Sequence, residues 1–442
     1  MLASADFVIT QLCRGWPAAR RGEKRMSGKA RSEAALKHFR GAGVLFCLVV
    51  IVAYLLGMRM TPGDSYTIDE LPHYLQIAAF AEGKFDIYYR LTVLPGYHAI
   101  IAAMAWLADD HSLTTVRALS WGLCFPAIVL FFLCARELGK DNRFSLSLVF
   151  FLSPIFFPFF FLLYTDIPSL MFLLGGLLLT LKRRYQLAGL VVALSFLLRQ
   201  TNVVWALFYA LLALGQEDVW RQLARRDWQP VLRSVARLWL FVLAGFAFLA
   251  FVYWHGSITL GDVSMHEVGR LNPTQGYILL FAVFFLFLPL HVWNLPRIGQ
   301  MIRRRPAMWL FVSAISLGYY IITFSAYHDW NYSTFFLRNY ILIGMRQELW
   351  FQLIVFIPML WAAFSLCVTP LQRGYFYLLY PFAILSVLPH NLVEPRYFIV
   401  PLTLFMLLKR QESARLDRLT IAMYVPVVCY LYSGIGRGDF FI

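Results

Sequence analysis

The chain has 442 residues, of which 60% are hydrophobic and 14% are charged, and it contains 40 Phe, 23 Tyr and 13 Trp. A soluble domain carries about 25% charged residues, so this composition excludes an ordinary soluble globule and indicates a membrane protein. The net charge is +15, but the Lys and Arg residues form short clusters between apolar runs, which excludes a basic nucleic-acid-binding domain. The six cysteines are scattered without metal-ligand spacing, and we interpret them as small packing residues.

The chain begins with a basic leader, residues 1–40, which has nine Lys or Arg residues and three acidic ones. We predict that this leader is disordered and cytosolic, with Met26 as an alternative start to Met1. Residues 41–442 are predicted to form a single transmembrane domain. Apolar runs long enough to cross a hydrocarbon core of about 30 Å predict an all-α polytopic membrane protein. The 13 predicted spans lie at roughly 41–58, 118–135, 144–163, 166–181, 186–198, 201–215, 237–254, 276–294, 308–326, 349–368, 374–388, 396–408 and 419–435.

One short apolar segment, residues 97–108, decides the predicted topology. It is too short to cross a bilayer unaided and is typical of a helix lying in the membrane interface. With this helix interfacial, 29 of the 39 Lys and Arg residues lie on the cytosolic side, as the positive-inside rule requires. Counting it as a span leaves only 16 of them inside. We therefore predict a cytosolic N-terminus and long outer connections at 59–117, 255–275 and 327–348.

Fourteen of the 24 acidic residues and seven of the nine histidines lie on the predicted outer side, where the first outer loop carries the motif T-I-D-E-L-P-H-Y-L-Q. Asp69 and Glu70 precede Pro72, which favours the first turn of a helix, and the helix dipole would stabilise both charged carboxylates there. His73 and Gln76 are three residues apart and would share one face of that helix. A carboxylate beside an imidazole suits a general base, whereas a helix cap would explain the acidic pair without any chemistry.

Further polar residues lie in outer turns and loops, and we predict that they bind substrate. Helix-end snorkelling of Arg199 is a competing explanation for that residue. No segment has the spacing of a strong metal site, so no metal or other cofactor is predicted. The predicted binding residues are His73, Gln76, Tyr97, Asp166, Arg199, Gln200, Asn202, Asp262, His266, Glu267, His328, Arg338, Tyr340, Glu394, Arg396 and Tyr397.

Six motifs follow one another along the chain: D-E-x-x-H-x-x-Q from Asp69, L-P-G-Y from Leu94, Y-T-D from Tyr164, R-Q-T-N from Arg199, G-D-x-S-x-H-E from Gly261 and R-Y-F-I-x-P from Arg396. In this order they resemble the family of dolichyl-phosphate-glucose-dependent α-1,2-glucosyltransferases, and the resemblance covers about residues 41–408. The sequence departs from the family pattern around Arg338, which follows Phe336 and Leu337, and the cytosolic loop at 216–236 is shorter than is common in the family.

The resemblance implies a GT-C type bundle that transfers glucose, with inversion, from a dolichyl (polyprenyl) phosphate donor to a lipid-linked oligosaccharide acceptor at the bilayer. In a eukaryote the reaction would take place on the lumenal face of the endoplasmic reticulum membrane. Asp69 is the expected base and Glu70 the alternative, while Arg338 and Arg396 are expected to bind the phosphate through paired hydrogen bonds. His266 and Glu267 would orient a sugar.

Two alternatives stay open. A bacterial GT-C transferase of the inner membrane would use another polyprenyl-phosphate sugar and glycan acceptor. A polytopic transporter or lipid flippase would share the hydrophobic composition, but such proteins usually show inverted repeats and broken helices at the midplane. An Asn-Tyr-Ser sequon at Asn331, in an outer loop, is compatible with a lumenal location.

Overall fold

A computed structural model of the chain describes residues 28–60, 66–67, 69–261 and 271–442. Within these residues the chain is helical, and its β pairing is limited to isolated bridges. The α-helices are α1 (Gly28–Met60), α2 (Glu70–Ala81), α3 (Gly96–Leu107), α4 (Leu113–Cys124), α5 (Pro126–Glu137), α6 (Arg143–Phe151), α7 (Asp166–Leu181), α8 (Tyr185–Phe196), α9 (Val203–Gln216), α10 (Val219–Ala224), α11 (Trp228–Ala236), α12 (Trp239–His255), α13 (Thr274–Leu286), α14 (Leu288–Arg304), α15 (Pro306–Thr323), α16 (Leu337–Gln347), α17 (Leu349–Val368), α18 (Leu379–Val387), α19 (Ile399–Leu408) and α20 (Ala414–Arg437).

The chain divides into two compact units, residues 1–48 and 49–442. In the first unit the described residues belong to α1. The second unit contains the remainder of α1, all the later helices and the candidate site.

Long apolar helices make the protein a multi-pass membrane protein. Four helical segments of the described chain are long and apolar enough to cross a bilayer, or six if two bent helix pairs each count as one span. The bends are 58° between α11 and α12 and 96° between α13 and α14. The four segments are Leu113–Glu137, Pro306–Thr323, Leu349–Val368 and Ala414–Arg437.

Proline explains why several predicted spans are interrupted. The predicted span 144–163 contains α6, which ends at Phe151 ahead of Pro154, and a 3₁₀ turn at Phe157–Phe160. The predicted span 276–294 breaks at Phe287, ahead of Pro289. Proline lacks the backbone N–H and its ring clashes with the preceding turn, so a continuous helix cannot pass through either position without distortion. Most of the remaining predicted spans correspond to apolar helices of 10–17 residues.

Helices α2, α3 and α4 pack on one another through an apolar cluster. Helix α3 closely matches the predicted helix 97–108, although its placement in the interface stays a prediction. Each large apolar side chain buried in such a cluster stabilises it by about 1.5–3 kcal/mol. This packing fixes the N-terminus of α2 beside the segment that leads into α7. The buried members are Ile77, Tyr97, Ile101, Ala102, Ala105, Leu113, Val116, Leu163 and Leu198.

Gly96 attaches α3 to the loop that follows α8. Its backbone N–H donates a hydrogen bond to the Leu197 carbonyl oxygen at 2.8 Å. A Cβ atom at position 96 would lie 2.6 Å from that same oxygen, so only glycine allows the two backbones to approach this closely. This close backbone contact explains why glycine occupies the third position of the L-P-G-Y motif.

Candidate active site

A cleft of about 280 Å³ opens beside the N-terminus of α2. Its walls come from residues 69–93, the turn after α8, the residues that follow α12 and the segments around the starts of α16 and α19. Four arginines and two carboxylates line it, so the formal charge of the lining is positive and suits an anionic ligand. These charged residues are Asp69, Arg90, Arg199, Arg338, Glu394 and Arg396.

Glu70 is a structural residue in this fold. Its side chain is fully buried and forms a two-point ion pair with Arg117, with Nη2 to Oε2 at 2.6 Å and Nε to Oε1 at 3.2 Å. Its oxygens also accept hydrogen bonds from the backbone N–H groups of Leu163 at 2.9 Å and Thr67 at 2.9 Å. With both oxygens engaged and no exposed surface, Glu70 is poorly placed to take a proton from a substrate. The helix-cap interpretation, in which the acidic pair satisfies local amides, therefore suits Glu70.

Asp69 occupies a different environment from Glu70. It precedes α2, but its side chain makes no capping hydrogen bond, and it lines the cleft with 45% of its side-chain surface exposed. Arg396 Nη2 lies 3.6 Å from Asp69 Oδ2. Partial burial among the surrounding protein atoms raises the pKa of the Asp69 carboxyl, while the positive charge of Arg396 works in the opposite direction. A carboxylate with a raised pKa is a stronger base, as proton abstraction requires.

Glu394 holds two arginines at the cleft. Its side chain is buried and forms an ion pair with Arg396, and Arg338 Nη2 lies 3.5 Å from its Oε1. The Arg396 guanidinium also lies over the ring of Tyr164, 5.4 Å from the ring centre. Two guanidinium groups thus reach the same cleft as Asp69, where they could bind the oxygens of a phosphate.

The R-Q-T-N turn forms another wall of the cleft. Arg199 forms an ion pair with Asp166 at the start of α7 and lies over the ring of Tyr397, so it is paired rather than snorkelling. Gln200 Nε2 donates to the carbonyl oxygens of Thr92 at 2.9 Å and Ile258 at 2.8 Å. The turn therefore fastens the first and second outer loops to the bundle.

Asp166, the partner of Arg199, lies outside the cleft lining, and so do three other predicted binding residues. Gln76 accepts a hydrogen bond from the Tyr88 N–H at 2.7 Å, and the Tyr97 hydroxyl lies 2.7 Å from Ser120 Oγ. Asn202 Nδ2 donates to Ser169 Oγ at 2.6 Å. All three are buried, and their hydrogen bonds stabilise the walls of the cleft.

His328 and Tyr340, also predicted to bind substrate, do not line the cleft either. His328 Nδ1 accepts a hydrogen bond from the Trp330 N–H at 3.2 Å and caps a 3₁₀ turn, and Tyr340 is 57% exposed on α16. Asp262, His266 and Glu267 lie outside the described residues. The sequon residue Asn331 is fully buried and accepts a hydrogen bond from the Val393 N–H at 3.1 Å, so in the folded protein it is not available for glycosylation.

Several residues of the site were not singled out by sequence reasoning. His98 Nε2 lies 2.8 Å from His73 Nδ1 with the two rings stacked, and His390 stacks on Tyr397. Arg117 is the one charged residue in α4. A single charge between apolar segments is the signal that could have indicated a buried ion pair. Among the described residues, no three His, Cys, Asp or Glu side chains are grouped as metal ligands.

Comparison with known proteins identifies related chains. The model of the DIE2/ALG10 family matches residues 64–407. A mouse protein named Dol-P-Glc:Glc(2)Man(9)GlcNAc(2)-PP-Dol alpha-1,2-glucosyltransferase is 25% identical, over 85% of this chain and 90% of its own length. Its human counterpart of the same name is 24% identical over the same shares, and an Arabidopsis thaliana protein of that name is 24% identical over 77% of this chain and 85% of its own.

Among solved structures, the crystal structure of ArnT from Cupriavidus metallidurans in the apo state is similar to this chain. The TM-score is 0.41 and the sequence identity is 15%. The similarity covers 91% of this chain and 78% of the ArnT chain.

Proposed function

The chain belongs to the DIE2/ALG10 family, and we propose that it transfers glucose from dolichyl phosphate glucose to a lipid-linked oligosaccharide, forming an α-1,2 linkage. The donor and the acceptor, Glc(2)Man(9)GlcNAc(2)-PP-Dol, are those in the names of its relatives. The observation that carries the proposal is the cleft itself, where an accessible carboxylate, Asp69, lies beside the guanidinium group of Arg396. Such a pairing of base and phosphate-binding cation is what glycosyl transfer from a lipid phosphate needs.

The proposed reaction is a single displacement. The acceptor hydroxyl oxygen attacks the anomeric carbon of glucose, and its proton passes to Asp69. The bond between that carbon and the phosphate oxygen breaks, and dolichyl phosphate leaves with the electron pair and its negative charge. Arg396 and Arg338 stabilise that charge because a guanidinium binds two phosphate oxygens through parallel hydrogen bonds. Attack opposite the leaving group inverts the anomeric centre.

The finer architecture is also part of the proposal. We propose a GT-C type bundle of 13 spans with the leader in the cytosol, α3 in the interface and the cleft on the lumenal face of the endoplasmic reticulum membrane. The distribution of Lys and Arg supports this orientation. His73 lines the cleft beside Asp69 and is the best-placed sugar ligand among the predicted residues, while His266 and Glu267 stay proposed as sugar-orienting residues.

The function is tested with purified protein in detergent, where transport is impossible. We expect the acceptor oligosaccharide to gain one hexose when dolichyl phosphate glucose is supplied, and linkage analysis to show an α-1,2 bond. Dolichyl phosphate mannose and a nucleotide glucose serve as control donors and are expected to give no product. Transfer from one of these donors but not from dolichyl phosphate glucose would overturn the proposal.

Arg396→Lys tests the proposed phosphate contact. We expect kcat/KM for the donor to fall by about 10–100-fold, because an ammonium group keeps the charge but cannot form the two parallel hydrogen bonds. Steady-state kinetics with varied donor measures the change. Arg346→Lys, on an exposed part of α16 outside the cleft, is the matched control. Unchanged donor KM and kcat in Arg396→Lys would rule out the phosphate role.

A further inference from the structure

The residues that follow α20 fold back against the cleft. Gly438 ends the helix in the left-handed conformation, with φ of +74°, and the Asp439 N–H donates to the Gly434 carbonyl oxygen at 2.9 Å. The ring of Phe440 then lies so close to Gly434 that a Cβ atom there would be 2.3 Å from it. This tight turn directs residues 439–442, which we call the return segment, toward the residues that precede α16.

Backbone hydrogen bonds join the return segment to that part of the chain. The Phe441 N–H donates to the Phe335 carbonyl oxygen at 2.9 Å, and the Leu337 N–H donates to the Phe441 carbonyl oxygen at 2.8 Å. These bonds place the main-chain oxygen of Ile442 within reach of Arg338 Nη1, which donates to it. Arg338 is therefore oriented from two sides, by this oxygen and by the Glu394 carboxylate.

The side chain of Phe441 contacts the support of the second arginine. Its ring stacks on Tyr164, with ring centres 6.1 Å apart and an interplanar angle of 17°, and it is only 6% exposed. The Tyr164 ring in turn lies beneath the guanidinium group of Arg396. The return segment thus contacts Arg338 directly and Arg396 through one aromatic ring.

We infer that Phe441 and Ile442 are positioning residues that hold Arg338 and Arg396 in the geometry required to bind the phosphate of the lipid donor. The inference rests on the proposed function, because it names the phosphate as the group that the two arginines bind. The family match ends at residue 407, so the return segment lies beyond it. The contribution is one of orientation, since neither residue lines the cleft.

Phe441→Ala is the first test. Removing the ring leaves Tyr164 without its stacking partner and loosens the segment that orients Arg338, so we expect the donor KM and the inhibition constant of dolichyl phosphate to rise about tenfold. The KM for the acceptor glycan is expected to stay within about twofold, which separates a disturbed phosphate site from general damage. Asp439→Asn is the matched control, because Asp439 is exposed and pairs with Arg437, and it should leave both donor values unchanged.

Two substitutions at Gly438 test the inference without removing an aromatic side chain. A Cβ atom at Gly438 would meet no atom within 4 Å, so a substitution there acts through the left-handed backbone alone. Valine disfavours that conformation, whereas asparagine tolerates it. We expect Gly438→Val to raise the donor KM and the inhibition constant, and Gly438→Asn to keep values close to those of the wild type.

Direct measurement of dolichyl phosphate binding tests this inference separately from the proposed transfer of glucose. Stabilisation of the purified protein against heat by added dolichyl phosphate reports on the phosphate site without turnover. Weaker stabilisation of Phe441→Ala and Gly438→Val than of the wild type supports the inference even if the wild type fails to transfer glucose. Equal stabilisation of folded wild type and variants, or a loss of kcat with an unchanged donor KM, overturns it.

Discussion

Asp69→Asn is expected to abolish glucosyl transfer while leaving the protein folded. An amide cannot accept the proton of the acceptor hydroxyl, and a positioned carboxylate base contributes about 10²–10⁴ in rate, so kcat should fall by at least two orders of magnitude. The change should cost little stability, because Asp69 makes no capping hydrogen bond and its contact with Arg396 is 3.6 Å long at a partly exposed site. Turnover of purified protein and its elution profile in detergent measure the two effects.

The matched control for Asp69→Asn is Asp109→Asn. Asp109 lies in the same outer loop, is exposed and does not line the cleft. Asparagine is isosteric with aspartate and tolerates its left-handed backbone, so activity should stay near that of the wild type. Near-normal turnover of a folded Asp69→Asn protein would show that another group takes the proton.

Arg117→Ala is expected to destabilise the protein strongly, and more than Asp69→Asn or Arg396→Lys. The two partners of this pair are 2% and 0% exposed, and removing the arginine leaves the Glu70 carboxylate charged, buried and without its counter-ion. Breaking such a pair from one side typically costs about 3–5 kcal/mol. The thermal unfolding midpoint in detergent should fall markedly, with activity lost as the folded fraction falls.

The double variant Arg117→Met with Glu70→Gln distinguishes a lost ion pair from a lost side chain. It removes both charges while keeping similar volumes, and such replacements are often close to neutral, so much of the stability should return. Lys84→Ala, which breaks the exposed pair with Glu82, is the surface control and should change the midpoint little. If Arg117→Ala unfolds at the wild-type midpoint, the pair does not anchor the N-terminus of α2. Recovery of catalysis in the double variant would also show that the Glu70 carboxylate is not the base.

The acidic pair of the first outer loop illustrates how far sequence reasoning reached. The order of motifs pointed to Asp69 and Glu70, and Pro72 correctly marked the first turn of α2. A sequence motif does not distinguish two adjacent carboxylates. The structure distinguishes them, because Glu70 is the one that forms an ion pair with Arg117. That partner is 47 residues away from Glu70 in the sequence and becomes adjacent only through the packing of α2 against α4.

Helix locations were predicted more accurately than contacts. The helices α7, α17 and α3 lie within about two residues of the predicted segments, because apolar length and flanking polar residues are local properties. The helix breaks inside two apolar runs were not predicted. A hydrophobicity pattern extends over many residues, so Pro154 or Pro289 changes it little, although each proline interrupts the helix. Gln76, Tyr97 and Asn202 were predicted to bind substrate, yet their partners lie in the walls of the cleft, which no local pattern encodes.

The sequence by itself determined that this is a helical membrane protein and where most of its apolar helices lie, because hydrophobicity and charge are local properties of the chain. Which motifs carry its chemistry is a prediction that rests on the family resemblance. Only the tertiary structure decided that Asp69 is accessible while Glu70 is buried, that Glu394 joins Arg338 to Arg396, and that the return segment packs beside them. The physical reason is that the charge, hydration and freedom of a side chain depend on neighbours brought together by helix packing.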